Sequence, residues 1–212
     1  MTFMDPVTLV GTGVMLEPLH ADHHDDLVKA ASDGELWNLW YTSIPRPEEM
    51  AEEIERRLRL QRERSMTPFT TRRVDTGTII GMTTFMSADH ANLRVEIGHT
   101  WNAASAQGTG TNADSKLLML THAFETWGCI AVEFRTAWMN VQSRSAIARL
   151  GAKQDGVLRS HQRLADGSLR DTVVFSITAS EWPAVRNELR RRVGNTAARA
   201  TSTTKTSGVR PG

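Results

Sequence analysis

The sequence predicts an α/β domain built on a mixed sheet, and three observations carry that reading. Amphipathic helical stripes are interspersed with short alternating runs of β type. Two pairs of those runs are joined by short turns, Asp75-Thr76-Gly77 and Asp166-Gly167, which connect antiparallel strands. Only one strand–helix–strand unit occurs before the chain turns back on itself, so a row of βαβ repeats is excluded. The chain has 212 residues and no internal repeat. One domain with one full core is expected.

The elements run in this order. "VGTGVMLEPL" at 10–19 reads as a first strand. "ADHHDDLVKAAS" opens a helix with acids in its first turns, and "LWNLWY" at 36–41 is an aromatic knot ended by Pro45 and Pro47. "PEEMAEEIERRLRLQRER" is a long helix in which Met50, Ile54 and Leu58 share a face. "FTTRRVD" and "TIIGMTTFM" form a hairpin, and "LRVEIGHTW" continues the meander. Its alternation places Val95, Ile97 and Trp101 on one face and Glu96 and Thr100 on the other. Leu117, Leu120, Phe124 and Trp127 then form a buried helical stripe. "AVEFRTAW" is a strand, and "NVQSRSAIARLGA" a short helix closed by Gly151. "GVLRSHQRL" and "LRDTVVFSIT" form the last hairpin, and a final helix begins near Ser180 and Pro183. The folded domain is expected over 1–193. The stretch 194–212 has no aromatic residue, no acid and no pattern, and is expected to be a disordered, weakly basic tail.

Composition narrows the function. The chain carries 25 Lys and Arg against 24 Asp and Glu. That balance argues against a dedicated nucleic-acid binder. No apolar run reaches the roughly 18 residues of a membrane span. The start "MTFMDPVTLVGTGVML" has no basic segment and makes a poor signal peptide. Cys129 is the single cysteine and is expected to be a buried, inert thiol. Together these predict a soluble cytoplasmic protein. His20, His23 and His24 lack a companion cysteine or further ligand, so no metal is expected. "RRLRLQRER" and "ELRRR" read as solvated helix faces.

The chemistry centres on "AQGTGTNADSKLLML" at 106–120, two glycines one residue apart before a helix. A P-loop is excluded because Lys116 does not follow a glycine. Gly108, Gly110 and Ala113 do fit a dinucleotide fingerprint, with Glu133 about twenty residues on. Against it, six residues separate the strand end at Trp101 from Gly108, and the parallel strands such a fold needs are missing. Free amides at a helix start, aided by the helix dipole, bind a pyrophosphate whichever family supplies them.

Gln107-Gly108-Thr109-Gly110-Thr111-Asn112 resembles the Q/R-x-x-G-x-G/A cofactor loop of the GNAT superfamily of N-acetyltransferases, with Asn112 departing from the usual glycine or alanine. The resemblance extends from about residue 8 to 190. Glu96-Ile97-Gly98, Asn140 with Ser143, Leu150-Gly151-Ala152, Asp166-Gly167 and Glu181-Trp182 are similar, in order, to the branch that includes the ribosomal-protein alanine acetyltransferases. It implies a GNAT-type α/β fold: a mixed, mostly antiparallel central sheet with splayed middle strands, flanked by helices. It implies an enzyme that moves an acetyl group from acetyl-CoA to a primary amine, on a protein N-terminus or a small molecule, by direct attack in a ternary complex. No metal, nucleic acid or membrane is implied; a homodimer is compatible with it.

The resemblance also assigns roles. Backbone at Trp101, Asn102 and Ala103 pairs with pantetheine, and amides from Gln107, Gly108, Thr109, Gly110, Thr111 and Asn112 hold the pyrophosphate. Asn140 bonds pantetheine, or simply starts a helix. Ser143 lies near the leaving sulfur, or is a helix-start serine. The tyrosine acid of many members is replaced by Ile147, which raises the standing of Ser143. Glu96 is a candidate base, or a structural ion-pair partner, and His99 is a second candidate. Trp37, Trp40 and Tyr41 border the acceptor cleft, or pack in the core. Arg144 and Arg149 could reach a terminal phosphate, or form a solvated face. A non-catalytic acyl-CoA-binding module and, behind it, a Rossmann-like dinucleotide binder are the alternatives.

Overall fold

The computed structural model describes residues 3–38, 44–164 and 166–206. Eight strands form one sheet in the order β1-β2-β3-β4-β5-β6-β8-β7. They are β1 (Leu9–Val10), β2 (Val14–Pro18), β3 (Met66–Arg73), β4 (Ile79–Asp89), β5 (Arg94–Asn102), β6 (Ala131–Ala137), β7 (Lys153–Arg163) and β8 (Leu169–Thr178). Every neighbouring pair is antiparallel except β5 and β6, which are parallel. The helices are α1 (His24–Ser32), α2 (Met50–Arg62), α3 (Thr111–Thr121), α4 (Val141–Arg149) and α5 (Trp182–Thr206). A single parallel pair connected by α3 rules out the dinucleotide fold, which needs several.

Two apolar layers cover the two faces of the sheet. Phe69, Phe85, Val95 and Ile97 pack with Met119 and Leu120 of α3, Ile147 of α4 and Leu189 of α5. Ile80, Met82 and Trp101 pack with Leu27 of α1 and Met50 and Ile54 of α2. Adjacent residues of a strand point to opposite faces. Thr83 therefore meets α3, through Met119 and Lys116, while Thr84 meets Arg57 of α2.

Several expectations are corrected. The first strand is a tight hairpin, broken at Gly11–Gly13. Asp114 at the start of α3 explains the break: its carboxylate accepts from the amides of Gly13 and Val14 at 2.7 and 3.0 Å. A Cβ at Gly11 would lie 2.7 Å from that carboxylate. The alternation along β5 also fails. Its register against β4 slips between Met82 and Thr84, and His99 adopts φ 46°. The bulge reverses the facing of Thr100 and Trp101. Thr100 joins the α3 face of Val95 and Ile97, bonding Thr83 at 2.7 Å, and Trp101 crosses to the α2 layer.

The helix α2 is not simply solvated. Arg57 is fully buried, because it follows Ile54 by three residues and so shares its inward face. Leu58, expected there, is only half-buried. At the chain's end, α5 runs through Gly194 to Thr206, past the point where the tail was expected to start. Leu189 and Val193, both buried, anchor it against the core. The stripe on α3 is bent: a π-turn over His122–Thr126 leaves Met119, Leu120, Ala123 and Trp127 buried, with Leu117 and Phe124 at the margin.

Candidate functional site

The parallel pair supplies the central feature. β5 and β6 pair only at Arg94–Ala131, Val95–Val132 and Glu96–Glu133. Beyond Glu96 the two strands diverge, and a cavity of about 880 Å³ opens between them. Ile97 to Asn102 on β5 and Phe134 to Ala137 on β6 line it, as do the glycine loop, α4 and part of α2.

The glycine loop forms one end. Gly108 and Gly110 both have positive φ, 75° and 91°, a conformation that costs any other residue. The first amide bonded within α3 is that of Asp114, to the carbonyl of Gly110. The amides of Thr111, Asn112 and Ala113 therefore have no partner within the helix, and the helix dipole adds positive potential there. The two glycines differ in surroundings. A Cβ at Gly108 would meet nothing within 4 Å, whereas one at Gly110 would lie 2.6 Å from the methyl of Thr196 on α5. Gly110 thus admits α5, and Gly108 faces open space. Thr109 and Thr111 brace the loop, their hydroxyls donating to the carbonyl of Ala106 at 2.7 and 3.0 Å. The Gln107 amide is already committed to Ala104, so it is not a free donor. The Gln107 side chain donates to the Asn102 carbonyl and accepts from Gln142 of α4, tying the loop across the cleft mouth. Arg149 and Arg192 stand at this end, with Arg192 donating to the Arg149 carbonyl.

In the middle of the cleft, Trp101 and Asn102 pair with Met82 and Gly81 on the β4 side, and beyond Glu96 they have no strand partner in β6. The Ala103 amide is spent on Ile80. Asn140 caps α4, its side-chain oxygen accepting from the Ser143 amide at 2.9 Å; that is the helix-starting role. Asn140, Ser143 and the buried Ile147 all line the cavity.

At the far end, Glu96 is 7% exposed. Burial raises its carboxyl pKa above the usual glutamate value, opposed by Arg135 and the Ser87 hydroxyl. Ser87 donates to Glu96 at 3.2 Å, and Arg135 lies 3.6 Å away, shared with Glu133. His99 is exposed on the cavity wall. The crowding of protein around it, and then the charges of Arg57 and Arg56, hold its pKa down at about 4. Because the ring is open to the cleft, the arginine charges are the firmer cause. Arg57 bonds Glu53 at 2.6 Å, Thr84 at 2.8 Å and the His99 carbonyl at 3.4 Å, so a buried guanidinium supports the bulge.

Trp37 lies in a short 3₁₀ turn and is half-buried; its neighbour Leu36 lines the cavity. Trp40 and Tyr41 lie outside the described residues. Arg144 stacks over Trp138 at 4.4 Å. Cys129 is buried, with its thiol pushed up to about 11 by burial. His23 bonds Thr70 and faces Glu17. Among the described residues no three His, Cys, Asp or Glu gather as a metal site, and no helix is long and apolar enough to cross a membrane. Sequence reasoning missed Lys116 and Arg57. Arg57 carried a signal in its spacing from Ile54; Lys116 had only its place on the inward side of α3.

Comparison with known proteins agrees with this architecture. A search of curated proteins found no match. Among solved structures, a GCN5-related N-acetyltransferase from Brucella melitensis superposes with a TM-score of 0.80 at 25% identity, covering 89% of this chain and 86% of that one. RimJ from Mycobacterium smegmatis, solved with CoA-disulfide, superposes with a TM-score of 0.76 at 22% identity, covering 90% and 97%. The microcin C7 self-immunity acetyltransferase MccE, solved with acetyl-CoA and AMP, gives 0.68 at 17%, covering 78% and 92%. The acetyltransferase (GNAT) domain matches residues 14–153, two thirds of the sequence. With its sheet splayed at β5 and β6 beside a helix-starting glycine loop, the chain belongs to the GNAT acetyltransferases.

Proposed function

We propose that this protein transfers the acetyl group of acetyl-CoA to a primary amine, by direct attack within a ternary complex. The observation that carries the reading is the opening between β5 and β6, with orphan amides of α3 at one end and Glu96 at the other. The cleft suits an elongated anionic thioester. The amides of Gly108 to Ala113 would hold the diphosphate, with the open side of Gly108 giving it room. Arg149 and Arg192 would stand near the remaining phosphate. The backbone of Trp101 and Asn102, which has no strand partner in β6, would pair with pantetheine.

The chain's own groups supply the rest. Glu96, made more basic than an exposed glutamate by its burial, serves as the base, directly or through water. His99 is neutral over the same range and weakly basic; it contacts the acceptor. Ser143, at the start of α4, hydrogen-bonds the departing sulfur in place of the tyrosine that Ile147 displaces. Trp37, next to the cavity-lining Leu36, borders the acceptor side. A protein N-terminus and small-molecule amines are the two acceptor classes of this reading, and the cytoplasm is its compartment.

Thermal shift with acetyl-CoA, CoA and NAD(H) tests the cofactor. Stabilisation by the first two and not the third is expected; stabilisation by NAD(H) alone would refute the reading. Thiol release with a panel of peptides and small amines tests the reaction. Binding of acetyl-CoA with no release for any amine would favour a non-catalytic acyl-CoA module, the reading that the missing tyrosine keeps in view.

A further inference from the structure

Lys116 is 4% exposed, yet it lines the cavity between β5 and β6. A buried ammonium ordinarily has a carboxylate partner, because desolvation of an unpaired charge is costly. Among the described residues Lys116 has none. Its Nζ donates to the hydroxyls of Thr83 and Thr100, each at 2.9 Å. The two hydroxyls lie 2.7 Å apart. Thr83 is buried, and Thr100 is exposed to the cavity.

Counting protons and lone pairs fixes the direction of the network. Each hydroxyl has one proton and two lone pairs. Besides Thr100, the Thr83 proton can reach only the Met119 sulfur at 3.4 Å, a weak acceptor. Thr83 therefore donates to Thr100. The Thr100 oxygen then accepts from both Lys116 and Thr83, and both its lone pairs are filled. Its own proton is left to donate. Within the protein that proton has only the Gly98 carbonyl, at 3.5 Å, the limit of a hydrogen bond. The cleft is the remaining direction.

We propose that Thr100, with its proton directed outward by Lys116, is a hydrogen-bond donor to the reacting thioester, and that Lys116 is the residue that positions it. This rests on the acetyl-transfer reading above. As the acceptor nitrogen bonds to the acetyl carbon and the carbon–sulfur bond breaks, an electron pair passes to sulfur. The Thr100 O–H stabilises that developing charge without giving up its proton. The proton lost by the nitrogen goes to Glu96 or water, and the thiolate takes one from solvent. The bulge at His99 makes this possible, since unbroken alternation would turn Thr100 to the α2 face.

Burial alone brings the Lys116 pKa down to about 7. The charges around it do not reach it. On its own helix, Asp114 is spent on the amides of Gly13 and Val14, and His122 packs against Phe85 and Trp127. Arg149 of α4 and Arg192 of α5 stand at the cavity mouth. On β5 and α2, Glu96, His99 and Arg57 belong to the opposite face of the sheet. Below about pH 7 the ammonium donates only. Above it, the neutral nitrogen gains a lone pair that accepts the Thr100 proton and turns it from the cleft.

The experiment is steady-state kinetics of full-length Thr100→Val, Thr100→Ser, Lys116→Met and the Val/Met double variant, with acetyl-CoA and the best amine of the panel. Each disabling variant is expected to lower kcat about tenfold or more with little change in KM for acetyl-CoA, while Thr100→Ser stays close to the parent. The double variant should be no worse than either single one, since the pair acts as a unit. The alkaline fall of kcat near pH 7 should vanish in Lys116→Met. Full kcat in Thr100→Val, or multiplicative losses in the double variant, would overturn the proposal. If Lys116→Met does not fold, Thr100→Val and Thr100→Ser still decide it. A parent that binds acetyl-CoA but releases no thiol with any amine would sink the acetyl-transfer reading itself, and this proposal with it; a parent that turns over separates the two.

Discussion

Replacing Gly108 and Gly110 by alanine, one at a time, separates the two jobs of the glycine loop. Both have positive φ, so each substitution forces an L-residue into the left-handed region at about 1–2 kcal/mol. At Gly108 that is the whole cost to the fold, because the new Cβ meets nothing within 4 Å. At Gly110 the Cβ would stand 2.6 Å from the Thr196 methyl and 3.0 Å from its hydroxyl. Overpacking of this kind adds about 1–3 kcal/mol. Gly110→Ala should therefore lose about 2–5 kcal/mol in all, which at about 2–4 °C per kcal/mol lowers Tm by roughly 10 °C. Gly108→Ala should lose roughly 4 °C. Affinity should rank the other way. The open space beside Gly108 is where the diphosphate is proposed to lie, so its alanine variant should bind CoA about tenfold or more weakly, about 1.4 kcal/mol, by titration calorimetry. Adding Thr196→Ala to Gly110→Ala should recover part of its stability loss, whereas adding it to Gly108→Ala should recover none. Equal Tm losses for the two single variants would refute the contact between α5 and the loop. Unchanged CoA affinity in Gly108→Ala would refute the anion site.

Three further outcomes are expected. Glu96→Gln should abolish the acidic limb of kcat/KM, which in the parent lies above the ordinary glutamate value; a limb near pH 4 removed instead by His99→Ala would transfer the base to His99. The same Glu96→Gln variant should also be the more stable at neutral pH. A raised carboxyl pKa means the protonated form favours the fold; that contribution is complete below the unfolded value and is lost as pH rises through the folded one, so the Tm gap between variant and parent should close on acidification. Ser143→Ala should lower kcat more than acetyl-CoA affinity, and unchanged kcat would remove Ser143 from the chemistry. Asp114→Ala strands the amides of Gly13 and Val14, and should cost about 3 kcal/mol in denaturant unfolding without changing KM; a loss below about 0.5 kcal/mol would show that those bonds do not hold the hairpin.

Sequence pattern revealed the fold where periodicity and turn chemistry were local. The β3–β4 and β7–β8 hairpins and the Gly151 helix stop are set by neighbours in the chain. The features that escaped were set by distant partners. The hairpin at Gly11–Gly13 depends on a carboxylate a hundred residues away at Asp114. The β5 bulge breaks the alternation at His99, whose carbonyl accepts from Arg57 of α2, and no local pattern announces that. The same bulge decides which side chains reach the cleft, so Thr100 and Trp101 were assigned to the wrong faces. The glycine loop was legible, but its two glycines were indistinguishable until α5 was seen against Gly110. Lys116 was invisible for a related reason: a lysine early in a helix reads as solvent-facing until the β-sheet beneath it is known.

The most direct test of the account is an amide NMR titration of the ¹⁵N-labelled protein with acetyl-CoA. The account predicts that the largest shifts fall on Gly108, Thr109, Gly110, Thr111, Asn112 and Ala113, with a second set on Trp101 and Asn102, and that pyrophosphate alone reproduces the first set. Binding of acetyl-CoA that leaves the amides of Gly108 to Ala113 unmoved would contradict it.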